Sequence, residues 1–188
     1  MRLFESGAIM LYLAEKHGRF IPRDTQTRAE CINWLLWAQA QGTITGNYGH
    51  FFVYAPADQG AAREYGVFRY GMDVQRMCSV LDQHLATRRY LCGGEYTVAD
   101  MACLPWFHLL RDRGYWHASG VKAKDFLSLA QYTHANRWAD ELVARPEVQR
   151  GMLVCRGQFA KPWLNPDDKR FTHLKGKVSP PGVGRAKL

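Results

Sequence analysis

The chain has 188 residues, 47% of them apolar and 13% aromatic, with a formal net charge of +8. This composition excludes a disordered or fibrous chain and supplies enough apolar material for a sizeable buried core. No apolar run approaches membrane-spanning length, so no membrane partner is expected. The charge is uneven. Residues 161–188 carry seven Lys/Arg (Lys161, Lys169, Arg170, Lys175, Lys177, Arg185, Lys187) against Asp167 and Asp168, a net +5 that leaves +3 for the body. Such a tail can attract RNA, membranes or acidic partners by charge alone. No nucleic-acid motif accompanies it, so a solvated tail is expected and a nucleic-acid partner is not.

The five cysteines (Cys31, Cys78, Cys92, Cys103, Cys155) are odd in number and scattered. They form no Cys-x-x-Cys pair, and no metal-spaced His pair joins them. The pattern points to small buried hydrophobes in a reducing, cytoplasmic compartment, with no disulfide framework and no metal. Arg2 and the run Ala8–Ala14 have a faint likeness to a secretion signal, but Glu5 interrupts the basic end and no small-x-small site follows.

Taken in order, the chain reads as helices. Residues 7–17 carry Ala8, Ile9, Tyr12 and Leu13 on one face, basic Lys16 and His17 at the end, and Gly18 to close the helix. Ser6 is placed to cap its start, with Glu5 beside it to hold a cation such as an ammonium group. The unpaired first-turn N–H groups and the positive dipole end suit an anion. Arg19–Asp24, with Pro22, is a connector. A second helix runs about 20 residues from Thr25, with Ala29, Ile32, Leu36 and Gln39 as its stripe. Gly42, Gly46, Gly49 and the nearby aromatics predict a bend or break with a packed loop up to Ala55-Pro56.

A long helix is expected from Ala61 to Arg88, its core stripe Tyr65, Phe68, Met72, Cys78, Leu81 and Leu85. Gly66 and Gly71 weaken it by about 1 kcal/mol each relative to Ala, which suits close approach by a neighbour and leaves Arg69 on an open face. After a turn-rich connector, Thr97-Val98-Ala99-Asp100 is a capping box with Asp in place of Glu. It opens the apolar helix Met101–Leu110, in which Pro105 favours a kink. Asp100 is thus a fold-stabilising carboxylate before a catalytic one. A polar and aromatic loop (111–124), a helix over 126–143 and a short helix starting at Pro146 complete the body. Beyond Arg156 the prolines and glycines mark an extended tail. With six to eight helices and almost no period-two alternation, the fold class is an all-α bundle.

Three features then coincide: Phe4-Glu5-Ser6-Gly7-Ala8-Ile9-Met10-Leu11-Tyr12-Leu13-Ala14-Glu15-Lys16, a Pro-bearing linker into a helical bundle, and Glu95-Tyr96-Thr97-Val98-Ala99-Asp100-Met101-Ala102. Together they resemble the glutathione transferase superfamily, which joins a thioredoxin-like domain to an all-α domain. Asn33-Trp34-Leu35-Leu36-Trp37, Tyr48-Gly49-His50-Phe51, Tyr54-Ala55-Pro56, Pro105-Trp106-Phe107 and Arg145-Pro146 are similar to the bacterial nu class, glutathione-dependent disulfide-bond oxidoreductases. The resemblance spans Leu3 to about Arg156. It implies a last strand-helix remnant of a thioredoxin-like domain at 1–18, a linker at 19–24, the all-α C-terminal domain at 25–160 and the basic tail at 161–188.

The resemblance also implies glutathione as co-substrate, a disulfide or electrophile as second substrate, and a homodimer. Glu5 and Ser6 would bind the γ-glutamyl end, Ser6 and the helix start taking the α-carboxylate and Glu5 the α-ammonium. Gln39 and, with less certain register, Gln41 would face the second pocket, and Arg69 would fork onto a ligand carboxylate. Read from the residues alone, Gln39 is better taken as a helix-surface amide and Arg69 as a solvated charge. The groups that activate the glutathione sulfur in the family precede the region matched, so no catalytic residue is assigned and the 188-residue chain is expected to have low activity. Two other readings remain: a non-catalytic helical interaction module, and a reactive role for Cys31 or Cys92.

Overall fold

The computed structural model describes residues 1–55, 60–113, 115, 117, 119–152 and 154. The basic tail at 161–188, Pro56 and Cys155 lie outside the described residues. Seven α-helices occur among those described: α1 (Ser6–His17), α2 (Thr25–Gly49), α3 (Gly60–Leu85), α4 (Val98–His108), α5 (Ala123–Phe126), α6 (Thr133–Val143) and α7 (Pro146–Met152). Two compact units divide after Leu142; α7 belongs to the second, Val143–Leu188. Within the first unit α2 is the central element, packed against both α3 and α4, with α1 lying on α2 and α4.

The all-α expectation holds, and no strand occurs among the described residues. Residues 1–4, expected as the end of a strand, form none, because a lone segment has no neighbouring edge with which to build a ladder. Gly18 closes α1 in the left-handed region (φ 60°), its N–H reaching the carbonyls of Ala14 and Glu15. The connector then returns to the bundle: the Phe20 carbonyl accepts the Val98 N–H at 2.9 Å, at the start of α4.

The capping box at Thr97 and Asp100 forms as expected. The Asp100 carboxylate also accepts the backbone N–H of Leu91 and the indole N–H of Trp138, both at 2.9 Å. Helices α3 and α6 cap one another. Asp82 accepts the N–H groups of His134 and Ala135 at the start of α6, and Arg137 of α6 donates to the carbonyls of Leu85 and Arg88 at the end of α3.

Several expectations are corrected. The break expected over 42–52 falls at its end and not at its first glycines: α2 is continuous to Gly49 and then widens into a π turn, His50–Tyr54. Two of its glycines mark aromatic rings pressed onto the helix. A Cβ at Gly42 would lie 2.7 Å from Trp106 Cζ2, and one at Gly49 2.2 Å from Tyr115 Cζ, whereas Gly46 faces open space. The core stripe of α2 is Cys31, Leu35, Ala38, Thr45 and Tyr48, and Leu36 is 62% exposed. The stripe was misplaced because its core side chains include small and polar ones that carry little hydrophobic signal.

On α3, Cys78, Leu81 and Leu85 are core as expected, but Tyr65, Phe68 and Met72 are exposed. The buried side of that half is the glycine side. A Cβ on Gly66 would fall 2.3 Å from Phe51 Cδ1, while Gly71 has only ordinary contacts, 3.6 Å from Tyr48. Helix α4 runs through Pro105, and the irregularity follows it as a second π turn, Leu109–Arg113. The single helix expected over 126–143 is divided into α5, a 3-10 turn (Leu129–Gln131) and α6, with Ser128 at φ 53° forcing the break.

The glycine environments predict opposite signs within one helix. Gly46→Ala should stabilise the fold by about 1 kcal/mol, since Ala is the better helix former and meets nothing. Gly49→Ala should destabilise it by about 2 kcal/mol through overlap with the Tyr115 ring. Urea unfolding followed by far-UV circular dichroism reads both.

Candidate functional site

The start of α1 differs from the expected cap. Glu5, not Ser6, holds the N-cap position, with φ 66° and ψ 125° and no side-chain cap bond. Its carbonyl accepts the Ile9 N–H at 2.9 Å and so opens the helix. Ser6 is the first helical residue, and its hydroxyl donates to Gln39 Oε1 at 2.8 Å instead of turning back to the α1 backbone. The first N–H groups of α1 therefore have no side-chain cap, and no acidic residue lies in its first turn. They keep their capacity for an outside acceptor.

A non-glycine residue in this backbone region is uncommon and costs of order 1 kcal/mol or more. The conformation is held from the α2 side. A Cβ at Gly7 would sit 3.0 Å from Gln39 Cδ, so the glycine lets Gln39 lie close along the first turn. The start of α1 thus lies against Gln39 of α2 through both Ser6 and Gly7. Ser6 donates to Gln39 yet retains oxygen lone pairs, and exposed Glu5 supplies a full negative charge beside the positive helix end.

The structure brings Glu5, Ser6 and Gln39 together. Gln41 lies elsewhere on α2: it is buried, and its side-chain amide donates to the Trp37 carbonyl one turn back, at 3.2 Å. Two residues along a helix is more than half a turn, so Gln39 and Gln41 cannot share a face. Arg69 is on α3, exposed, and paired with Asp73 at 2.6 Å. The hydrogen bond that Arg69 donates to the Asp73 carboxylate raises the Arg69 pKa above the ordinary arginine value. A ligand carboxylate reaching Arg69 must share its fork with Asp73. The Ser6–Gln39 bond was not legible in the sequence, since it depends on how α1 is laid across α2.

Residues 65–141 match the family model described as glutathione S-transferase, C-terminal domain. Over 157 residues the chain is 44% identical to the disulfide-bond oxidoreductase YghU of Escherichia coli (strain K12), covering 83% of this chain and 51% of that protein. The solved glutathione transferase YghU from Streptococcus pneumoniae ATCC 700669, complexed with glutathione, superposes with a TM-score of 0.71. It is 37% identical over 82% of this chain and 56% of its own. A glutathione transferase from Pseudomonas putida, with one glutathione disulfide bound per subunit, gives a TM-score of 0.70 at 33% identity over 81% of this chain and 62% of its own. The chain spans about half the length of the curated relatives it matches. On the family model, the shared sequence and the shared helical architecture, this chain belongs to the glutathione transferase superfamily.

Proposed function

We propose that the chain contributes the helical wall of a glutathione site in a glutathione-dependent transferase or disulfide-bond oxidoreductase. The observation that carries this reading is the Ser6–Gln39 hydrogen bond, which fixes an uncapped helix start and a strained Glu5 next to α2. The γ-glutamyl end of glutathione presents an α-carboxylate and an α-ammonium. The carboxylate suits the free N–H groups and the Ser6 oxygen, and the ammonium suits Glu5. Gln39 positions Ser6 by accepting its hydrogen bond, and Arg69 offers a guanidinium for a ligand carboxylate. Gln41 is not assigned a contact, since its amide serves the α2 backbone.

The reaction proposed is attack of glutathione thiolate on a disulfide or electrophile, a disulfide substrate passing through a mixed disulfide. The residues assigned here hold one end of the ligand and none touches its sulfur, so turnover by the 188-residue chain alone should be weak. A reducing, cytoplasmic setting is proposed on the odd number and scattered placement of the five cysteines in the sequence. The remnant–linker–helical-domain division at 1–18, 19–24 and 25–160 is part of the same proposal.

Titration calorimetry with glutathione on the full chain should show weak saturable binding that falls about tenfold in Glu5→Gln and in Ser6→Ala, the loss of one charged contact. Binding unchanged in both variants overturns the site, and rapid disulfide reduction by the chain alone overturns the expectation of weak turnover. Glu5→Gly should separate stability from binding. It relieves the positive-φ strain and should raise unfolding free energy by about 1 kcal/mol while losing glutathione affinity. A homodimer is proposed on the apolar stripe Tyr65, Phe68 and Met72 of α3, with Phe68 64% exposed. Light scattering should give twice the chain mass, and Phe68→Glu should give the monomer.

A further inference from the structure

A second cleft opens where α2 ends. It has a volume of about 510 Å³, within the range of small-molecule sites, and is lined from the π turn after α2, the first turns of α3, the loop before α5 and α5 itself. None of Glu5, Ser6, Gln39 and Arg69 lines it. Phe52 follows Gln39 by thirteen residues, about 20 Å along the helix axis, so the cleft is separate from the start of α1. Its walls are aromatic. Phe52, 2% exposed, is the most buried ring, and its centroid lies 5.4 Å from those of both His117 and Phe126. Phe68 and Val121 add apolar surface at the rim.

The loop wall is held by its own backbone. The His117 N–H donates to the Val121 carbonyl and the Gly120 N–H to the His117 carbonyl, each at 2.8 Å. The ring is held too: His117 Nδ1 accepts the Ser119 N–H at 3.1 Å, which leaves Nε2 as the donor. Two charged side chains line the same cleft, and both have capacity left. Arg63 caps the π turn, Nε and Nη2 donating to the carbonyls of Phe51 and Phe52 at 3.1 and 3.0 Å. Its Nη1 has no partner among the described residues. Glu64 is exposed and pairs with no cation among the described residues. Consecutive helical residues do not face one another, so Arg63 does not neutralise it. A simple organic anion entering the cleft meets Glu64, and a simple cation meets Arg63. Aromatic walls with one free charge of each sign suit an aromatic molecule that carries both.

We propose that this cleft binds a free aromatic α-amino acid, with its ring against Phe52 and Phe126, its carboxylate on Arg63 Nη1 and its ammonium on Glu64. A residue inside a peptide has neither charge, and one at a chain end has a single charge, so the paired charges select the free zwitterion. The ring supplies the apolar burial, and the two charges fix its orientation. The inference is independent of the glutathione reading at α1, with which it shares no residue. Phe68 belongs both to the rim and to the stripe proposed for the dimer, so the variants that test the cleft are placed elsewhere.

The test is titration calorimetry of the full chain with L-phenylalanine, 3-phenylpropionate and phenethylamine, the last two keeping the ring and losing one charge each. L-phenylalanine should bind saturably, and each analogue about tenfold more weakly. Glu64→Gln should bring L-phenylalanine down to the affinity of 3-phenylpropionate. Val121→Trp, at a 41% exposed rim position, should fill the cleft and abolish binding of all three while the far-UV circular dichroism is unchanged. If that variant does not fold, the analogue series and Glu64→Gln decide the question on their own. Excess glutathione should not displace L-phenylalanine. Absence of saturable binding overturns the proposal, as do equal affinities for the three compounds, an unchanged affinity in Glu64→Gln, or binding that survives in folded Val121→Trp. Displacement by glutathione overturns it as well, because the amino acid is then held at the start of α1.

Discussion

One buried carboxylate holds the junction on which this bundle turns. Asp100 is completely inaccessible and takes four donors: the N–H of Leu91, the N–H and hydroxyl of Thr97, and the indole N–H of Trp138. Those donors come from the turn before α4, the N-cap of α4 and the middle of α6, so one side chain joins three segments, and Arg89 and Tyr90 add bonds of their own to Glu141 of α6. Burial pushes the carboxyl pKa upward, and the bonds from Leu91, Thr97 and Trp138 oppose that push. A buried acid with so complete a set of donors is an architectural group: removing it strands donors that no other side chain can satisfy.

Other features hang from that junction. The Phe20 carbonyl reaches Val98 beside the capping box, so the connector after α1 is anchored to the same end of α4. The Thr97 hydroxyl, held by Asp100, also lies 3.5 Å from Cys92 Sγ. At the other side of α2, the Ser6–Gln39 bond and the Gly7 contact seat α1 and keep Glu5 in its costly backbone conformation. The core side chains are drawn largely from α2, α3, α4 and α6, while the positive-φ residues Glu5, Phe20 and Ser128 lie outside them, the first where the glutathione end is proposed to bind.

Local chemistry with a fixed spacing was the legible part of the sequence. The Thr97–Asp100 box, the Gly18 terminator and Pro146 at the first position of α7 each express a rule that acts within a few residues, and each is realised. What failed was the assignment of faces. The α2 core side is built from Cys31, Ala38, Thr45 and Gln41 as much as from Leu35, so hydrophobic periodicity selected the wrong third of the helix. On α3, Gly66 is a site of close approach, as its sequence context implies, but the aromatic stripe Tyr65, Phe68 and Met72 is not core, because the Phe51 ring from the π turn after α2 fills the glycine side. Likewise Glu5 and Ser6 were identifiable as a motif, but the swap of their roles at the cap depends on Gln39, thirty-three residues away.

The account rests on Asp100 acting as a hub whose ties to α4 and α6 are coupled. A double-mutant cycle of Asp100→Ala and Trp138→Phe, read by urea unfolding, tests this most directly. Asp100→Ala should cost about 3 kcal/mol, and Trp138→Phe should cost about 1 kcal/mol less in the Asp100→Ala background than in the wild type. A loss below about 0.5 kcal/mol for Asp100→Ala, or strictly additive losses, would contradict it.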